Sequence, residues 1–338
     1  MKSTQYIGNK TFSVIDKAKV DPLSDEVRIK VAYTGVCGTD VHIYHGMMDK
    51  RVQMPVTIGH EMSGTIDAIG ADVTKYNIGD KVVVRPLDDR GVLPSDKGFN
   101  HICENLKFIG IDSPGSMQQF WNVPAFTLHQ LPKNTDLKLA ALIEPLAVAV
   151  HDVRLSELKA HETAVVLGGG PIGLLVALVA KQTGAQVFVS EINPKRIAKA
   201  KELGLNVIDP TKVDLIEEVK NRTENRRADV VFEVAGVQAT LDVMTEVAGI
   251  RGRIVMVAIH GQKKEVDLFK FFWKELRLIG ARVYEKEDYE RAITLVTENK
   301  VGFENMITDI QPLTNIQSVF EQIDLNPDGM KVLMDCQQ

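Results

Sequence analysis

The sequence predicts an α/β protein that combines a β-rich unit with a doubly wound parallel sheet. Between residues 26 and 84, short β-branched segments alternate with glycine, which is typical of a partly open β-rich unit. Between residues 164 and 257, β-rich runs alternate with helical segments, which is typical of a parallel sheet with crossover helices. The 338 residues exceed the usual length of one domain, so we expect two packed units.

The elements predicted for the first unit are mostly strands. They lie over residues 27–33, 64–69 and 81–84. Asn77-Ile78-Gly79-Asp80 supplies a turn before the third of these strands. Residues 85–115 are predicted to form a loop, because proline, glycine and aspartate interrupt every period there. Long loops in compact domains are usually functional or relics of function.

Helices and strands alternate after this loop. Residues 136–158 are predicted to be helical, with a kink or break at Pro145. Further strands are expected over residues 164–167, 186–190, 229–233 and 253–257, with helices over 194–203 and 239–248. A helix over residues 288–299 and a short strand over residues 330–334 complete the prediction.

Composition and charge exclude several classes of function. A net charge of −5 leaves no excess of lysine and arginine for nucleic acid or an anionic membrane surface. The uncharged run over residues 163–180 contains glycine and proline, which favours a strand, a turn and a helix over a membrane span. Cys37, Cys103 and Cys336 are too few for a disulfide framework, so we expect a cytoplasmic protein.

A glycine-rich motif, Gly168-Gly169-Gly170-Pro171-Ile172-Gly173, fits the dinucleotide-binding pattern G-x-G-x-x-G directly after an apolar strand. Gly168 would permit the tight turn, Gly170 the approach of a pyrophosphate, and Gly173 the packing of helix on strand. Pro171 and Ile172 open a helix whose N-terminus would face the phosphate charge. Alone, the motif could be a structural turn, but the strand before it and the helix after it favour a cofactor site.

The next predicted strand ends at Glu191, whose carboxylate can accept hydrogen bonds from the ribose hydroxyls of adenosine. The same carboxylate would repel a 2′-phosphate, so NAD is predicted in preference to NADP. Arg196 could contact the ribose or the phosphates, which would weaken this preference. Equally, it could be a solvated charge on a helix.

A second group of reactive residues lies close to the first predicted strands. Cys37, His60 and Glu61 offer a thiolate, an imidazole and a carboxylate, which zinc accepts as ligands in catalytic sites with one open position. Taken singly, each has a structural alternative. The thiol could be a small buried hydrophobe, the imidazole an interior hydrogen-bonding group and the carboxylate a surface charge.

Four motifs occur in a fixed order: Cys37-Gly38-Thr39-Asp40, Gly59-His60-Glu61-x-x-Gly64, Glu144-Pro145-Leu146 and the glycine motif. Together they resemble the zinc-dependent medium-chain dehydrogenase/reductase family, above all its sorbitol, butanediol and threonine dehydrogenase branch. The resemblance covers essentially the whole chain. It implies a GroES-like β-barrel catalytic zinc domain over residues 1–144 and 284–338, interrupted by a Rossmann NAD-binding domain over residues 145–283.

The resemblance also implies roles for single residues. Cys37 and His60 become zinc ligands, while Glu61 and Glu144 compete for the remaining carboxylate position, one binding directly and the other through water. The expected reaction is oxidation of a secondary alcohol of a polyol, a sugar acid or a related sugar-derived compound. Zinc would lower the pKa of the alcohol, and the hydride would pass to NAD.

Thr39 and His42 match the family positions that relay the substrate proton to solvent. Thr39 would take the proton and pass it through ribose hydroxyls towards His42, whose unperturbed pKa near 6.5 suits transfer at neutral pH.

One departure from the family pattern concerns a second, structural zinc, which many members hold on four closely spaced cysteines. In this chain the corresponding segment, residues 85–104, contains a single cysteine, Cys103, close to His101. Four thiolates cannot be assembled, so we predict one catalytic zinc and no structural zinc. A cation site on the nearby acidic residues is conceivable, but solvated loop charges are more common.

Two residues bear on the class of substrate. Tyr44 looks like a pocket residue of the polyol branch, and Arg282 resembles an arginine of sugar-acid dehydrogenases in the family. A guanidinium can bind a carboxylate through two parallel hydrogen bonds, although Arg282 could also be an exposed or interface charge. A sugar acid and a neutral polyol or cyclitol therefore remain alternatives.

Two other functions are weighed against this one. A zinc-free NADPH-dependent reductase of the same fold would lack Cys37, His60 and Glu61. A non-catalytic NAD-sensing or scaffold protein would not need Thr39, His42 and Glu144, although retained motifs do not prove turnover. The family implies a homodimer or homotetramer formed through the edge of the Rossmann sheet, for which residues 277–283 are a candidate.

Overall fold

Short strands dominate the first part of the chain in the computed structural model, which describes residues 1–298, 301–326 and 328–338. The strands are β1 (Lys2–Tyr6), β2 (Phe12–Asp16), β3 (Glu26–Gly35), β4 (Glu61–Ile69), β5 (Lys81–Val84), β6 (Leu87–Asp88), β7 (Lys107–Phe108), β8 (Phe120–Pro124) and β9 (Leu128–Gln130). Two helices lie among them, α1 (Gly38–Tyr44) and α2 (Leu137–Ala140).

Alternation of apolar and polar side chains explains the longest of these strands. In β3, Val27, Ile29 and Val31 are fully buried, whereas Arg28 and Lys30 between them reach solvent. One face of a strand is buried in this way when its side chains alternate with a period of two. The strands predicted over residues 27–33 and 81–84 correspond to β3 and β5, and β4 begins three residues before its predicted start.

The second part of the chain alternates strands and helices. After α3 (Ile143–Leu155), the strands are β10 (Thr163–Leu167), β11 (Gln186–Ser190), β12 (Asn206–Ile208), β13 (Ala228–Glu233), β14 (Ala248–Met256) and β15 (Arg277–Gly280). The helices between them are α4 (Pro171–Gln182), α5 (Pro194–Glu202), α6 (Leu215–Arg222), α7 (Gln238–Val247) and α8 (Leu268–Lys274).

These six strands form one sheet in the order β12-β11-β10-β13-β14-β15, and every neighbouring pair is parallel. The predicted doubly wound parallel sheet is confirmed. The strand order reverses between β10 and β13, where open α/β sheets bind their ligands. Helices α6 and α7 pack on the sheet through a continuous apolar core, which includes Val165, Phe188, Val219, Val231, Leu241, Met244 and Ile254.

The predicted helix over residues 136–158 is wrong in one respect. Two helices, α2 and α3, form there, and Pro145 lies in the first turn of α3 rather than at a break. Proline is tolerated at that position, because the main-chain N–H groups of a first turn have no partner within the helix.

The remaining elements are α9 (Lys286–Glu298), β16 (Ile307–Pro312), α10 (Ile316–Leu325) and β17 (Lys331–Asp335). The helix predicted over residues 288–299 corresponds to α9, except that residue 299 lies outside the described residues. β17 inserts between β16 and β3 in a seven-stranded sheet of order β16-β17-β3-β4-β5-β9, with β8 also paired to β3.

By their contacts, the elements separate into two compact units. One contains Met1–Glu144 and Glu285–Gln338, and the other Pro145–Tyr284. Within the first unit, the predicted loop over residues 85–115 contains the paired strands β6 and β7 and two short 3-10 helices. Among the described residues, no helix combines the length and apolar character that crossing a membrane requires.

Candidate active site

The pairing of β3 with β4 assembles the predicted metal ligands. The two strands are antiparallel, and Gly35 at the end of β3 lies opposite Glu61 at the start of β4. Cys37, just after β3, is therefore brought beside His60 and Glu61. The possible ligand atoms of these three side chains all lie within 4.8 Å of one another. Glu61 and His60 are buried, whereas Cys37 is partly exposed.

Glycine at position 35 leaves the space that the Glu61 carboxylate occupies. A β-carbon on Gly35 would overlap Oε2 of Glu61. A second glycine, Gly59, precedes His60 with a φ of 101°, a conformation that L side chains rarely adopt. Two glycines outside the ligand set therefore shape the site.

Asp40 faces the histidine and was not singled out in the sequence. It is fully buried in α1, and its Oδ2 accepts a hydrogen bond of 2.9 Å from the main-chain nitrogen of Cys37. Oδ1 lies 3.7 Å from Nδ1 of His60, and both atoms are buried without a hydrogen bond to any described residue. A carboxylate beside one nitrogen of an imidazole is the usual arrangement around a metal-binding histidine, so these residues fit a zinc ion.

Lys331 supplies a positive charge to the same site from β17. It is 3% exposed, and its Nζ donates to Oε1 of Glu61 at 2.6 Å and to the carbonyl oxygen of Val36 at 3.1 Å. Burial lowers the pKa of Lys331, but the charges of Glu61 and Cys37 outweigh this effect and raise the pKa. Sequence reasoning missed this lysine, because it stands 270 positions from its partner.

Glu144 lies in the first turn of α3 and is buried, but it does not belong to the group formed by Cys37, His60 and Glu61. The charge of Glu144 nevertheless changes the pKa of a neighbouring side chain. Burial and then the charge of Glu144 raise the pKa of Tyr289 well above its usual value. The geometry therefore brings Glu61, and not Glu144, together with Cys37 and His60, and the indirect role of Glu144 stays a prediction.

Thr39 and His42 both lie on α1 and are partly exposed. Residues three apart on a helix share a face, so the predicted relay residues lie on one side of α1. Thr39 lies in the first turn, next to Cys37, and His42 in the last turn, and both reach solvent, which suits a proton path.

Tyr44 is buried in an aromatic cluster. Its ring stacks on Phe12 with centroids 5.9 Å apart and lies 5.2 Å from Phe320, and its hydroxyl is 3.5 Å from the amide of Gln317. Only 3% of Tyr44 is exposed. This packing accounts for the residue without a substrate, and its place in a substrate pocket stays a prediction.

In the second unit, the glycine motif links β10 to α4. Gly168 has a φ of 109°, and Gly170 is the N-cap of α4, with Pro171 as its first residue and Ile172 next. A β-carbon on Gly173 would overlap the carbonyl oxygen of Gly168, so the third glycine lets the helix approach the turn. The local structure is that of a dinucleotide-binding turn.

Glu191 follows β11 and lies against this turn. Oε2 accepts a hydrogen bond of 2.8 Å from the nitrogen of Gly169, and Oε1 accepts from the nitrogens of Ile192 and Asn193 at 2.7 and 2.8 Å. The carboxylate is therefore fixed beside the glycine motif. Nη1 of Arg196 lies 4.0 Å from Oε2 of Glu191, which brings this predicted cofactor residue to the same place.

Arg282 follows β15 at the surface of the second unit. No described carboxylate forms an ion pair with its guanidinium. The charge is thus available to an external anion, as its predicted role requires.

Residues 85–115, all of which are described, contain no three metal-ligand side chains close enough to share an ion. Instead, Asp96 connects the two ends of a loop. Its Oδ2 accepts from the nitrogen of Leu93 at 2.6 Å and its Oδ1 from the nitrogen of Glu104 at 3.1 Å. Cys103 is buried beside this loop, and burial raises the pKa of its thiol.

Two family models match the chain. Residues 23–133 match the alcohol dehydrogenase GroES-like domain, and residues 171–298 match the zinc-binding dehydrogenase domain. Together they span more than two thirds of the sequence.

Individual proteins are similar over the full length. A 2-dehydro-3-deoxy-L-galactonate 5-dehydrogenase of Pseudoalteromonas atlantica is 54% identical over 99% of both chains. A sorbitol dehydrogenase of Halalkalibacterium halodurans is 33% identical over 98% of this chain and 97% of its own. The crystal structure of 2R,3R-butanediol dehydrogenase from Bacillus subtilis has a TM-score of 0.90 and 30% identity over 99% of both chains.

Proposed function

Because the chain belongs to the zinc-type medium-chain dehydrogenase family, we propose that it oxidises 2-dehydro-3-deoxy-L-galactonate at carbon 5 with NAD as hydride acceptor. It is a dehydrogenase of sugar-derived secondary alcohols. The observation that carries the finer proposal is the 54% identity, over 99% of both chains, to a dehydrogenase of that name.

The first unit would be the catalytic domain and hold the zinc. Cys37, His60 and Glu61 would bind the ion directly, and Glu144 through a water molecule. When bound, zinc supplies a Lewis acid that lowers the pKa of an alcohol, and NAD supplies the hydride acceptor. Asp40 would hold the imidazole of His60 in its binding orientation.

The proton of the substrate hydroxyl would leave along α1. The hydroxyl oxygen of Thr39 would accept it while its own proton passes, through ribose hydroxyls of the cofactor, towards the imidazole of His42, which would release a proton to solvent. A histidine suits this task because its unperturbed pKa lies close to neutral pH.

The second unit would be the cofactor domain. Main-chain nitrogens of Gly170 and of Ile172, in the first turn of α4, would face the pyrophosphate. Glu191 would accept hydrogen bonds from the adenosine ribose and disfavour a 2′-phosphate, which supports NAD over NADP. Arg196, close to Glu191, would contact the ribose or the phosphates.

Arg282 would bind the carboxylate of the sugar acid. Its guanidinium is exposed, and no described carboxylate neutralises it, so two parallel hydrogen bonds to a carboxylate are open to it. A polyol has no such group. Arginine at this position therefore supports a sugar acid over a neutral polyol.

We further propose a cytoplasmic homodimer or homotetramer. β15 is an edge strand, and an edge strand presents main-chain groups that a second strand can pair with. Next to it in sequence, α8 exposes Phe269, Phe272 and Trp273. The three cysteines are free thiols, which fits a reducing compartment.

The proposal is tested by metal analysis together with reduction of NAD and NADP. The substrates would be 2-dehydro-3-deoxy-L-galactonate, sorbitol and 2,3-butanediol, with wild type and Cys37→Ser compared. We expect one zinc per chain, NAD-linked turnover of the sugar acid, and loss of zinc and activity in the variant. Preference for a polyol would overturn the substrate, and two zincs per chain would overturn the absence of a structural zinc.

The variant Arg282→Met tests the proposed substrate separately from the hydride-transfer reaction. If Arg282 binds the carboxylate, KM for the sugar acid rises at least tenfold, since hydrogen bonds to charged groups contribute about 1.5–3 kcal/mol. Turnover of a neutral polyol at saturation would stay unchanged. Equal losses on both substrates would argue against this role.

A further inference from the structure

The carboxyl-terminal ends of β13 and β14 carry two polar side chains that the proposed function leaves unused. Glu233 is the last residue of β13, and His260 follows the end of β14. The two strands are adjacent and parallel, and both residues belong to the second unit. Nε2 of His260 lies 3.3 Å from Oε2 of Glu233.

Glu233 is rigidly held. It is fully buried, and its Oε1 accepts hydrogen bonds from the nitrogen of Gly236 at 2.9 Å and from the hydroxyl of Thr240 at 2.7 Å. Its carbonyl oxygen accepts from the nitrogens of Val257 and Ala258, both at 3.0 Å. Glu233 thus joins the start of α7, through its carboxylate, to the turn after β14, through its carbonyl oxygen, and the fixed carboxylate can orient a neighbouring imidazole.

Three polar atoms of the pair have no hydrogen-bond partner among the described residues. Oε2 of Glu233 and both ring nitrogens of His260 are buried and make no hydrogen bond with any described residue. Such atoms are rare in folded proteins and call for an explanation. A small rotation of the ring would let Nε2 donate to Oε2, because the distance is already close to that of a hydrogen bond. Nδ1 would then remain as an acceptor.

The pair lies next to the dinucleotide-binding turn. The nitrogen of Val234 donates to the carbonyl oxygen of Leu167 at 3.1 Å. A β-carbon on Gly168 would lie 3.0 Å from that of Ala235, so the residues after β13 pack on the glycine motif. The strand order reverses here, between β10 and β13. If the glycine motif holds the pyrophosphate, the nicotinamide half of the cofactor extends over β13 and β14.

We propose that His260, oriented by Glu233, accepts a hydrogen bond from a ribose hydroxyl in the nicotinamide half of the cofactor. The inference rests on the proposed function, because it requires a dinucleotide at this edge of the sheet. Nε2 of His260 donates to Glu233, and Nδ1 accepts from the hydroxyl. A carboxylate commonly fixes the tautomer of a histidine in this way. His260 is a binding residue, and Glu233 is a positioning residue.

Three ligands of increasing length test the assignment without any turnover. ADP lacks the second ribose, ADP-ribose contains it, and NADH adds the nicotinamide. Their dissociation constants would be measured by calorimetry for wild type and His260→Ala. We expect three- to tenfold weaker binding of ADP-ribose and NADH, which is the loss of one neutral hydrogen bond, and unchanged binding of ADP.

Two further variants sharpen this test. Glu233→Gln keeps an oxygen for Gly236 and Thr240 but presents an amide to His260, which reverses the tautomer so that Nδ1 donates instead of accepting. A ribose hydroxyl can also accept a hydrogen bond, so we expect this variant to weaken the binding of ADP-ribose less than His260→Ala does, and to leave the binding of ADP unchanged. The matched control is His161→Ala, which removes an exposed histidine of the same unit and leaves all three ligands unaffected.

The results that contradict the inference differ from those that contradict the proposed function. If His260→Ala weakens the binding of all three ligands equally, the residue affects the structure of the whole unit. If it weakens the binding of none, the residue does not contact the ribose. Either result overturns the assignment alone. A wild-type protein that binds none of the three ligands would overturn the proposed cofactor and this inference with it.

Discussion

At the residue scale, the position of the Glu61 carboxylate is set by neighbours that are not ligands. Gly35 leaves space for it, and Lys331 pairs with it inside the protein. Breaking a buried ion pair by removing one partner leaves an uncompensated charge and is strongly destabilising. The space at Gly35 can be changed without removing any charge, so it offers the cleaner test.

Gly35→Ala should displace the carboxylate and weaken zinc binding at least tenfold while the protein stays folded. The measurement is zinc competition with a chromophoric chelator, with circular dichroism to check the fold. Gly38→Ala is the matched control, because nothing lies within 4 Å of the β-carbon it adds. If both variants bind zinc as tightly as wild type, Glu61 is not a direct ligand.

A second prediction at this scale concerns cofactor choice. Glu191→Gln removes the charge that disfavours a 2′-phosphate and weakens the acceptor for the ribose hydroxyls. We expect kcat/KM for NAD to fall about tenfold or more and the ratio of NADP to NAD activity to rise, since hydrogen bonds to charged groups contribute about 1.5–3 kcal/mol. Glu202→Gln, exposed at the end of α5, serves as control. An unchanged ratio would contradict the role of Glu191.

Motif residues could be predicted from the sequence, and their neighbours could not. Cys37, His60 and Glu61 stand in short patterns, and the structure brings them together. Gly35 and Lys331 act only through their contacts with Glu61 in the folded protein. Their contribution depends on the pairing of β3 with β4 and with β17, and no local pattern reveals this pairing.

At the element scale, the packing of β9 against α9 gives the first unit a pH dependence. The ring of His129 on β9 lies 4.9 Å from that of Tyr289 on α9. Burial, and then the charge of Arg85, lower the pKa of His129 to about 4 from its usual value near 6.5. The native state therefore binds fewer protons than the unfolded state between these two pH values.

Stability should accordingly fall as the pH drops from 6.5 towards 4, by about 3 kcal/mol from this group by pH 4. In His129→Gln, the loss of unfolding free energy between pH 7 and pH 4.5 should be smaller by about 2 kcal/mol. Urea unfolding at the two pH values measures this difference. His161→Gln, an exposed control, should behave as wild type. Identical losses in His129→Gln and wild type would mean that the pKa of His129 is the same in the folded and the unfolded protein.

Elements whose apolar residues recur with a clear period could be predicted from the sequence, whereas mainly polar or very short elements could not. β1, with the sequence Lys-Ser-Thr-Gln-Tyr, lacks an apolar alternation, and β2 gives it a partner only after folding. β12 has only three residues, too few to show a period, and the two isoleucines of β16 stand three positions apart and do not alternate, so neither strand was predicted. Pro145 misled the helix prediction, because the sequence does not show where a helix begins.

At the scale of the whole molecule, the exposed side chains of α8 and the edge position of β15 predict association. Trp273→Glu would place a charge in that face, and we expect a shift to smaller oligomers or monomers in light scattering after size exclusion. Leu325→Glu, on the exposed surface of α10, is the control and should leave the mass unchanged. A monomeric wild type would contradict the proposed assembly outright.

The insertion of β17 between β16 and β3 has a consequence for the order in which the protein forms during synthesis. The second unit is one continuous segment, so it can fold as soon as residue 284 has left the ribosome. The first unit must wait, because β3 lacks one of its three neighbours, β17, and Glu61 lacks its countercharge until residues 331–335 have been made. We therefore expect a nascent chain to become able to bind nucleotide before it can retain metal.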